Sequence, residues 1–146
     1  MTIIAYKDGV LAADSEMYWG ELRCDYPDKL AIIEGAIIGC SGDIIACRKF
    51  VEWFREKGKT PDFEKLKFDA IVAYKDGRVE SWDQRLYPLP ITDEFAAMGS
   101  GMDFAIGAMA HGATARKAAE IAVRFCKSCG GKILTKSLDD INVVAE

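Results

Sequence analysis

Apolar residues along this chain gather in short runs broken by glycine-containing turns, and in three places they switch to helical spacing. Thr2 to Tyr6 is apolar and rich in β-branched residues, Lys7-Asp8-Gly9 supplies a tight turn, and Val10 to Ala13 resumes the run, which predicts a hairpin. An N-terminal segment built into a sheet in this way is anchored rather than frayed. Ser15 to Asp28 is mixed and polar, with Tyr18 and Trp19 as its aromatics, and reads as a loop or a wandering strand. Lys29 to Ile33 and Ala36 to Cys40, split by Glu34-Gly35, predict a second hairpin, and Gly39-Cys40-Ser41-Gly42-Asp43 carries its end into a helix. From Asp43 to Lys57, Ile44, Cys47, Val51 and Phe54 form one face against Arg48, Lys49, Glu52, Arg55 and Glu56, and Gly58 and Pro61 stop the helix.

A third hairpin follows in Phe68 to Tyr74, the turn Lys75-Asp76-Gly77, and Arg78 to Trp82. It repeats the first closely, because Ala-Tyr-Lys-Asp-Gly occurs at both 5–9 and 73–77. Pro88 and Pro90 mark a loop, and Phe95 to Met98 is a brief strand ending at Gly99-Ser100-Gly101. Met102 to Ala110 is almost uncharged all round, which predicts a helix covered on both sides, with Met98, Met102 and Met109 in the core. His111, the one histidine, sits at its end. Thr114 caps a further helix over Ala115 to Lys127, where Ala118, Ile121, Ala122 and Phe125 oppose Lys117, Glu120 and Arg124. Gly130-Gly131 ends that helix, and Ile133 to Thr135 is a last strand before a sparse tail. Strands and helices that cluster instead of alternating make the fold α+β, with two sheets inside and helices outside. The length of 146 residues fits a single domain spanning 1–146.

Composition narrows the function. A net charge of −4, from 19 basic and 23 acidic residues without any basic block, leaves nucleic-acid binding no electrostatic footprint. The longest nearly uncharged stretch, 96–110, is too short and too glycine-rich to cross a membrane. Cys24, Cys40, Cys47, Cys126 and Cys129 are odd in number and follow no signal peptide, so free thiols in a reducing, cytoplasmic setting are expected. Cys126 and Cys129 form a CxxC pair whose spacing is compatible with redox or zinc chemistry. The pair falls at the end of a helix and has no second pair to complete a zinc site, so neither metal nor cofactor is implied.

The candidate chemistry lies at the start. Thr2 is small enough that removal of Met1 is expected, which leaves a free α-amine beside the threonine hydroxyl. Such an amine has a reference pKa of ~7.7–8.0, so near neutral pH it can take the hydroxyl proton as the oxygen attacks a carbonyl.

The segment TIIAYKDGVLAAD, Asp28-Lys29, GCSGD at 39–43, GSG at 99–101 before a small-residue helix, and CGG at 129–131 together resemble the proteasome β-subunit and HslV family of N-terminal nucleophile hydrolases, in its short bacteriophage-type form. The resemblance runs from Thr2 to about Ile133. It implies a four-layer αββα sandwich and a threonine-type peptidase in which Thr2 is the nucleophile and its amine the base. By the same resemblance Asp14 and Lys29 are the paired carboxylate and ammonium, Gly42 offers its N–H to the oxyanion, and Ser100 assists proton movement at the amine. The residues alone also leave open an ordinary ion pair or two solvated charges for Asp14 and Lys29, and a helix cap for Ser100. The family further implies a homo-oligomeric ring around an inner chamber, peptide or unfolded-protein substrates, and an ATP-dependent unfoldase as partner.

The chain departs from the pattern at two places. Cys126 and Cys129 occupy the positions of an aspartate and a serine ahead of the Gly-Gly pair, so the usual carboxylate partner of the terminal amine is missing, and Ile3 stands where relatives often carry threonine. Two further readings therefore stand beside the peptidase: a catalytically silent assembly or partner-binding protein on the same fold, and an amidase acting on a small molecule.

Overall fold

A computed structural model describes residues 2–144 of the chain. The first hairpin, β1 (Ile4–Lys7) and β2 (Val10–Ala13), lies at the centre of a four-stranded antiparallel sheet completed by β10 (Phe95–Met98) beside β1 and β11 (Leu134–Ser137) beside β2. A five-stranded sheet runs in the order β5 (Leu30–Ile33), β6 (Ala36–Gly42), β7 (Phe68–Tyr74), β8 (Val79–Asp83) and β9 (Leu89–Pro90).

Strand alternation sorts the side chains into three cores. Ile3, Ala5 and Ala12 face α2 (Met102–Ala110) and α3 (Ala115–Phe125), where Ala105, Met109, Ala118 and Ala122 meet them. Ile4, Tyr6, Leu11 and Ala13 point the other way and pack against Leu30, Ile37, Ile71 and Ala73 of the larger sheet. The opposite face of that sheet, with Ile38, Cys40, Phe68 and Val72, is covered by Ala46 and Phe50 of α1 (Ile44–Glu56). Three cores between consecutive layers give α1, sheet, sheet, α2 with α3: the expected αββα order. Strands buried on both faces explain why their sequences read as continuous apolar runs instead of alternating ones.

Local signals set the helix starts. Asp43 caps α1 by accepting from the N–H groups of Ile45 at 2.9 Å and Ala46 at 3.0 Å, and Thr114 caps α3 by accepting from Lys117 N–H at 3.1 Å. On α1, Phe50, Trp53 and Phe54 all gather around Trp82 of β8, so neighbouring Trp53 and Phe54 share one aromatic cluster despite pointing along different directions of the helix.

Five sequence expectations need correction. Ser15 to Asp28 is a regular hairpin, β3 (Glu16–Trp19) with β4 (Leu22–Asp25), followed by a 3₁₀ turn at Pro27–Lys29; its exposed aromatic and polar residues hid the strand pattern. The loop at Pro88 and Pro90 includes the edge strand β9, where proline costs no interior ladder bond. Beyond β11 the chain forms α4 (Leu138–Val144), whose Leu138 and Ile141 reach the inter-sheet core. Finally, α2 is covered on one side only: Met102 and Phe104 are exposed, and Phe125 at the end of α3 is 60% exposed and stacks on Phe104. Small alanines, not Phe125, make the buried face of α3.

Candidate active site

Thr2 is buried just ahead of β1, and the elements around it bring three other sequence candidates to it. Asp14 follows β2 directly, so the β1–β2 hairpin folds it back beside Thr2. Lys29 ends the 3₁₀ turn that leads into β5 and is itself buried. Its ammonium donates to Thr2 Oγ1, to Asp14 Oδ1 at 2.9 Å and to the Glu16 carbonyl at 2.7 Å, so every ammonium hydrogen has a partner. The Thr2 hydroxyl in turn donates to Asp14 Oδ1 at 2.9 Å.

Asp14 is fully buried and fully engaged. Its Oδ1 also accepts from Ile3 N–H at 3.2 Å, and its Oδ2 accepts from Gly130 N–H at 3.0 Å. A buried carboxylate and ammonium are tolerated only when paired and hydrogen-bonded in this way. The pairing leaves the threonine oxygen facing a fixed positive charge, which lowers the energy of that oxygen as an anion.

The backbone nitrogen of Thr2 faces the other way, donating to Ser100 Oγ at 3.1 Å, while the Ser100 hydroxyl lies 3.4 Å from the Thr2 carbonyl. Gly99 makes this approach possible: its φ is +98°, and a Cβ there would sit 2.2 Å from the Thr2 carbonyl oxygen. Removal of Met1, on which a free amine depends, concerns a residue outside those described. Gly42 ends β6 immediately before the α1 cap, has φ of +118°, and would drive a Cβ to 2.7 Å from the Lys67 carbonyl oxygen. It lines, with Thr2, Lys29, Ser41 and Cys47, a cleft of about 770 Å³ between β5, β6 and the first turns of α1.

Behind Ser100 lie the two cysteines. Cys126 Sγ donates to the Ser100 carbonyl at 3.6 Å, and Cys129 Sγ is 3.9 Å from Ser100 Oγ. Burial, then the neighbouring Asp14 charge, pushes the Cys129 thiol up to about 12, so it is neutral near pH 7. It cannot serve the Thr2 nitrogen as a carboxylate would. His111 lies at the end of α2, exposed and outside this cluster.

Residue patterns did not reveal the backbone groups that complete the site. The Glu16 carbonyl anchors Lys29, and Gly130 both donates to Asp14 and accepts from Ser15 N–H at 3.1 Å and Glu16 N–H at 3.0 Å. The Glu16 carboxylate is buried against Arg23 Nε at 2.6 Å. No group of His, Cys, Asp and Glu among the described residues is arranged to hold a metal ion, and no described helix is long and apolar enough to cross a membrane.

No family model and no curated protein sequence matches the chain. Solved structures do. BPH from Thiobacillus denitrificans, in complex with epoxomicin, superposes with a TM-score of 0.64 over 94% of this chain and 98% of that one, at 19% identity. Eukaryotic HslV from Trypanosoma brucei superposes with a TM-score of 0.67 over 93% and 98%, at 20% identity. The chain therefore has the N-terminal nucleophile hydrolase fold of the HslV and proteasome β-type subunits.

Proposed function

We propose that this chain, built on the HslV fold, is a threonine-type peptidase whose nucleophile is Thr2 after loss of Met1. The observation that carries the reading is the Thr2 hydroxyl, buried at one side of the cleft and held between the Lys29 ammonium and Asp14. In the proposed reaction the freed α-amine, oriented by Ser100, takes the hydroxyl proton while Oγ1 adds to the peptide carbonyl. Lys29 stabilises the alkoxide as it forms, and Asp14 holds Lys29 in position. The carbonyl oxygen becomes an oxyanion facing the Gly42 N–H beside the positive end of α1, an interaction worth ~2.7–4 kcal/mol of barrier in comparable sites. Collapse of that adduct passes the proton to the leaving amine and leaves an ester on Thr2, which water then hydrolyses.

The substrate class is a peptide or an unfolded protein segment. Assembly into a homo-oligomeric ring, service by an ATP-dependent unfoldase and a cytoplasmic location are parts of the same proposal; the five free cysteines support a reducing compartment. The second reading, a silent assembly protein, is favoured by one observation: Thr2 N has a serine and a neutral thiol nearby in place of a carboxylate. The pocket gives the small-molecule amidase no separate support.

Intact mass and N-terminal sequencing, followed by incubation with epoxomicin, test the proposal. An epoxyketone offers two electrophilic carbons to an alcohol and an amine on one residue. Loss of Met1 together with a stable adduct on Thr2, absent from Thr2→Ala, is the expected result. A chain that retains Met1 and takes up no adduct is not a threonine peptidase.

A further inference from the structure

We infer that Cys126 and Cys129 form a dithiol site for low-molecular-weight disulfides, and that oxidation of this pair acts on Thr2 through Ser100. The effect on reactivity rests on the peptidase reading above; formation of the disulfide does not. The turn that ends α3 sets the pair, with Cys129 N–H donating to the Cys126 carbonyl at 3.1 Å, so the spacing folds back on itself within bridging range. Both sulfurs then land on a single residue, Cys126 on the Ser100 carbonyl at 3.6 Å and Cys129 against its hydroxyl at 3.9 Å. Ser100 is also the one described partner of Thr2 N. Cys126 is half-buried and can be reached by a small reagent, whereas Cys129 is buried behind it.

The chemistry balances without a metal. The Cys126 thiol gives its proton to water, and the thiolate so formed attacks one sulfur of the small disulfide, forms a mixed disulfide and expels one thiolate. Cys129 Sγ loses its proton to water, displaces the remaining thiolate from Cys126 and closes the Cys126–Cys129 bond. Two electrons pass to the reagent, which leaves as two thiols, and the protein loses two hydrogens.

Oxidation removes the S–H that Cys126 donates to Ser100 and draws Cys129 Sγ to bonding distance of Cys126, away from its present contact with the serine hydroxyl. Ser100 then loses the groups that hold it under Thr2. The remaining cysteines lie elsewhere: Cys40 and Cys47 are hydrogen-bonded to each other in the cleft wall, and Cys24 donates to the Leu22 carbonyl at 3.7 Å.

The test uses the full chain in buffers of stepped reduced-to-oxidised glutathione ratio, followed by peptide mass mapping, amide NMR of Thr2 and Ser100, and the rate of epoxomicin labelling. The expected result is a Cys126–Cys129 disulfide, shifted Thr2 and Ser100 amides, and labelling slowed about three- to tenfold, the size of one lost hydrogen bond, with recovery in dithiothreitol. Cys126→Ser, with Cys126→Ala as a second variant, is expected to abolish the disulfide and both responses. A disulfide at Cys40–Cys47 alone, none even in fully oxidised glutathione, or a Cys126–Cys129 bond that leaves both amides unmoved overturns the inference. If epoxomicin labels neither redox form, the peptidase reading fails, and the amide shifts still decide whether oxidation reaches Ser100.

Discussion

Two copies of one pentapeptide, Ala-Tyr-Lys-Asp-Gly, make different turns in this protein. At 5–9 the strands pair Lys7 with Val10, leaving a two-residue loop in which Asp8 and Gly9 both take positive φ, 52° and 76°. At 73–77 Tyr74 N–H instead meets the Arg78 carbonyl at 2.8 Å, and the loop holds three residues with only Gly77 left-handed, at φ of 96°. Both are standard hairpin solutions. Burial chooses between them. A two-residue loop at the second site would set Ala73 opposite Glu80 and push a carboxylate into the inter-sheet core; the extra residue sets Ala73 opposite Val79. Glu80 then faces the outer layer, where it accepts from Tyr74 Oη at 2.6 Å and Trp82 Nε1 at 3.3 Å.

The surroundings differ as well. The first hairpin lies mid-sheet with a neighbour on each side, and its two ends carry Thr2 and Asp14 into contact. The second also lies mid-sheet, between β6 and β9, but carries none of the residues singled out for chemistry. Identical local sequence thus yields a candidate site in one place and a surface turn in the other.

Substitutions can break this contrast, beginning with the largest effect. Lys29→Met leaves the buried Asp14 charge at the end of the first hairpin unpaired, and a loss of about 3–5 kcal/mol is expected by urea denaturation. A variant as stable as the parent would show that the pair is not buried as described. Next, the equivalent lysines should differ. Lys7 donates to the Ala113 carbonyl at 3.2 Å and the Met109 carbonyl at 3.5 Å at the end of α2, and lies over the Phe95 ring, whereas Lys75 is exposed. Lys7→Ala is expected to cost about 1–2 kcal/mol and Lys75→Ala less than about 0.5. Equal losses would erase the distinction between the hairpins.

The smallest effect separates the aspartates. Asp8 needs only a residue that accepts positive φ, so Asp8→Asn is expected to leave the urea midpoint unchanged or slightly raised. Asp76 accepts from Arg78 N–H at 3.0 Å and Nε at 2.9 Å, so Asp76→Asn is expected to lower it slightly. The Arg78 backbone N–H, and then its guanidinium, hold the Asp76 carboxyl below its ordinary value of 3.8. That contribution is fully present above 3.8 and disappears as pH falls through the lowered value, and the Arg78 amide resonance should follow it. An Arg78 amide that does not move in acid would contradict the bond.

Legibility followed the range of each interaction. The helix cap at Thr114, the turn glycines and the doubly buried strands could be read from the chain because each depends on neighbours a few residues away. The β3–β4 hairpin could not, because its outward residues Tyr18, Trp19 and Leu22 carry no burial pattern. At the site, resemblance singled out Thr2, Asp14, Lys29, Gly42 and Ser100. The Glu16 carbonyl and Gly130 N–H were invisible to it, since every residue has such groups and only position makes them partners.

The sequence by itself determined where strands turn, which faces are apolar and which short motifs stand next to the opening threonine in chain order. Tertiary structure alone decided that an ammonium twenty-seven residues away and a serine ninety-eight away would meet that threonine from opposite sides. It also decided that two thiols would close on that same serine. The reason is physical: hydrogen-bond periodicity acts along the chain, whereas burial of charge can be satisfied only by whichever distant groups the packed layers bring together.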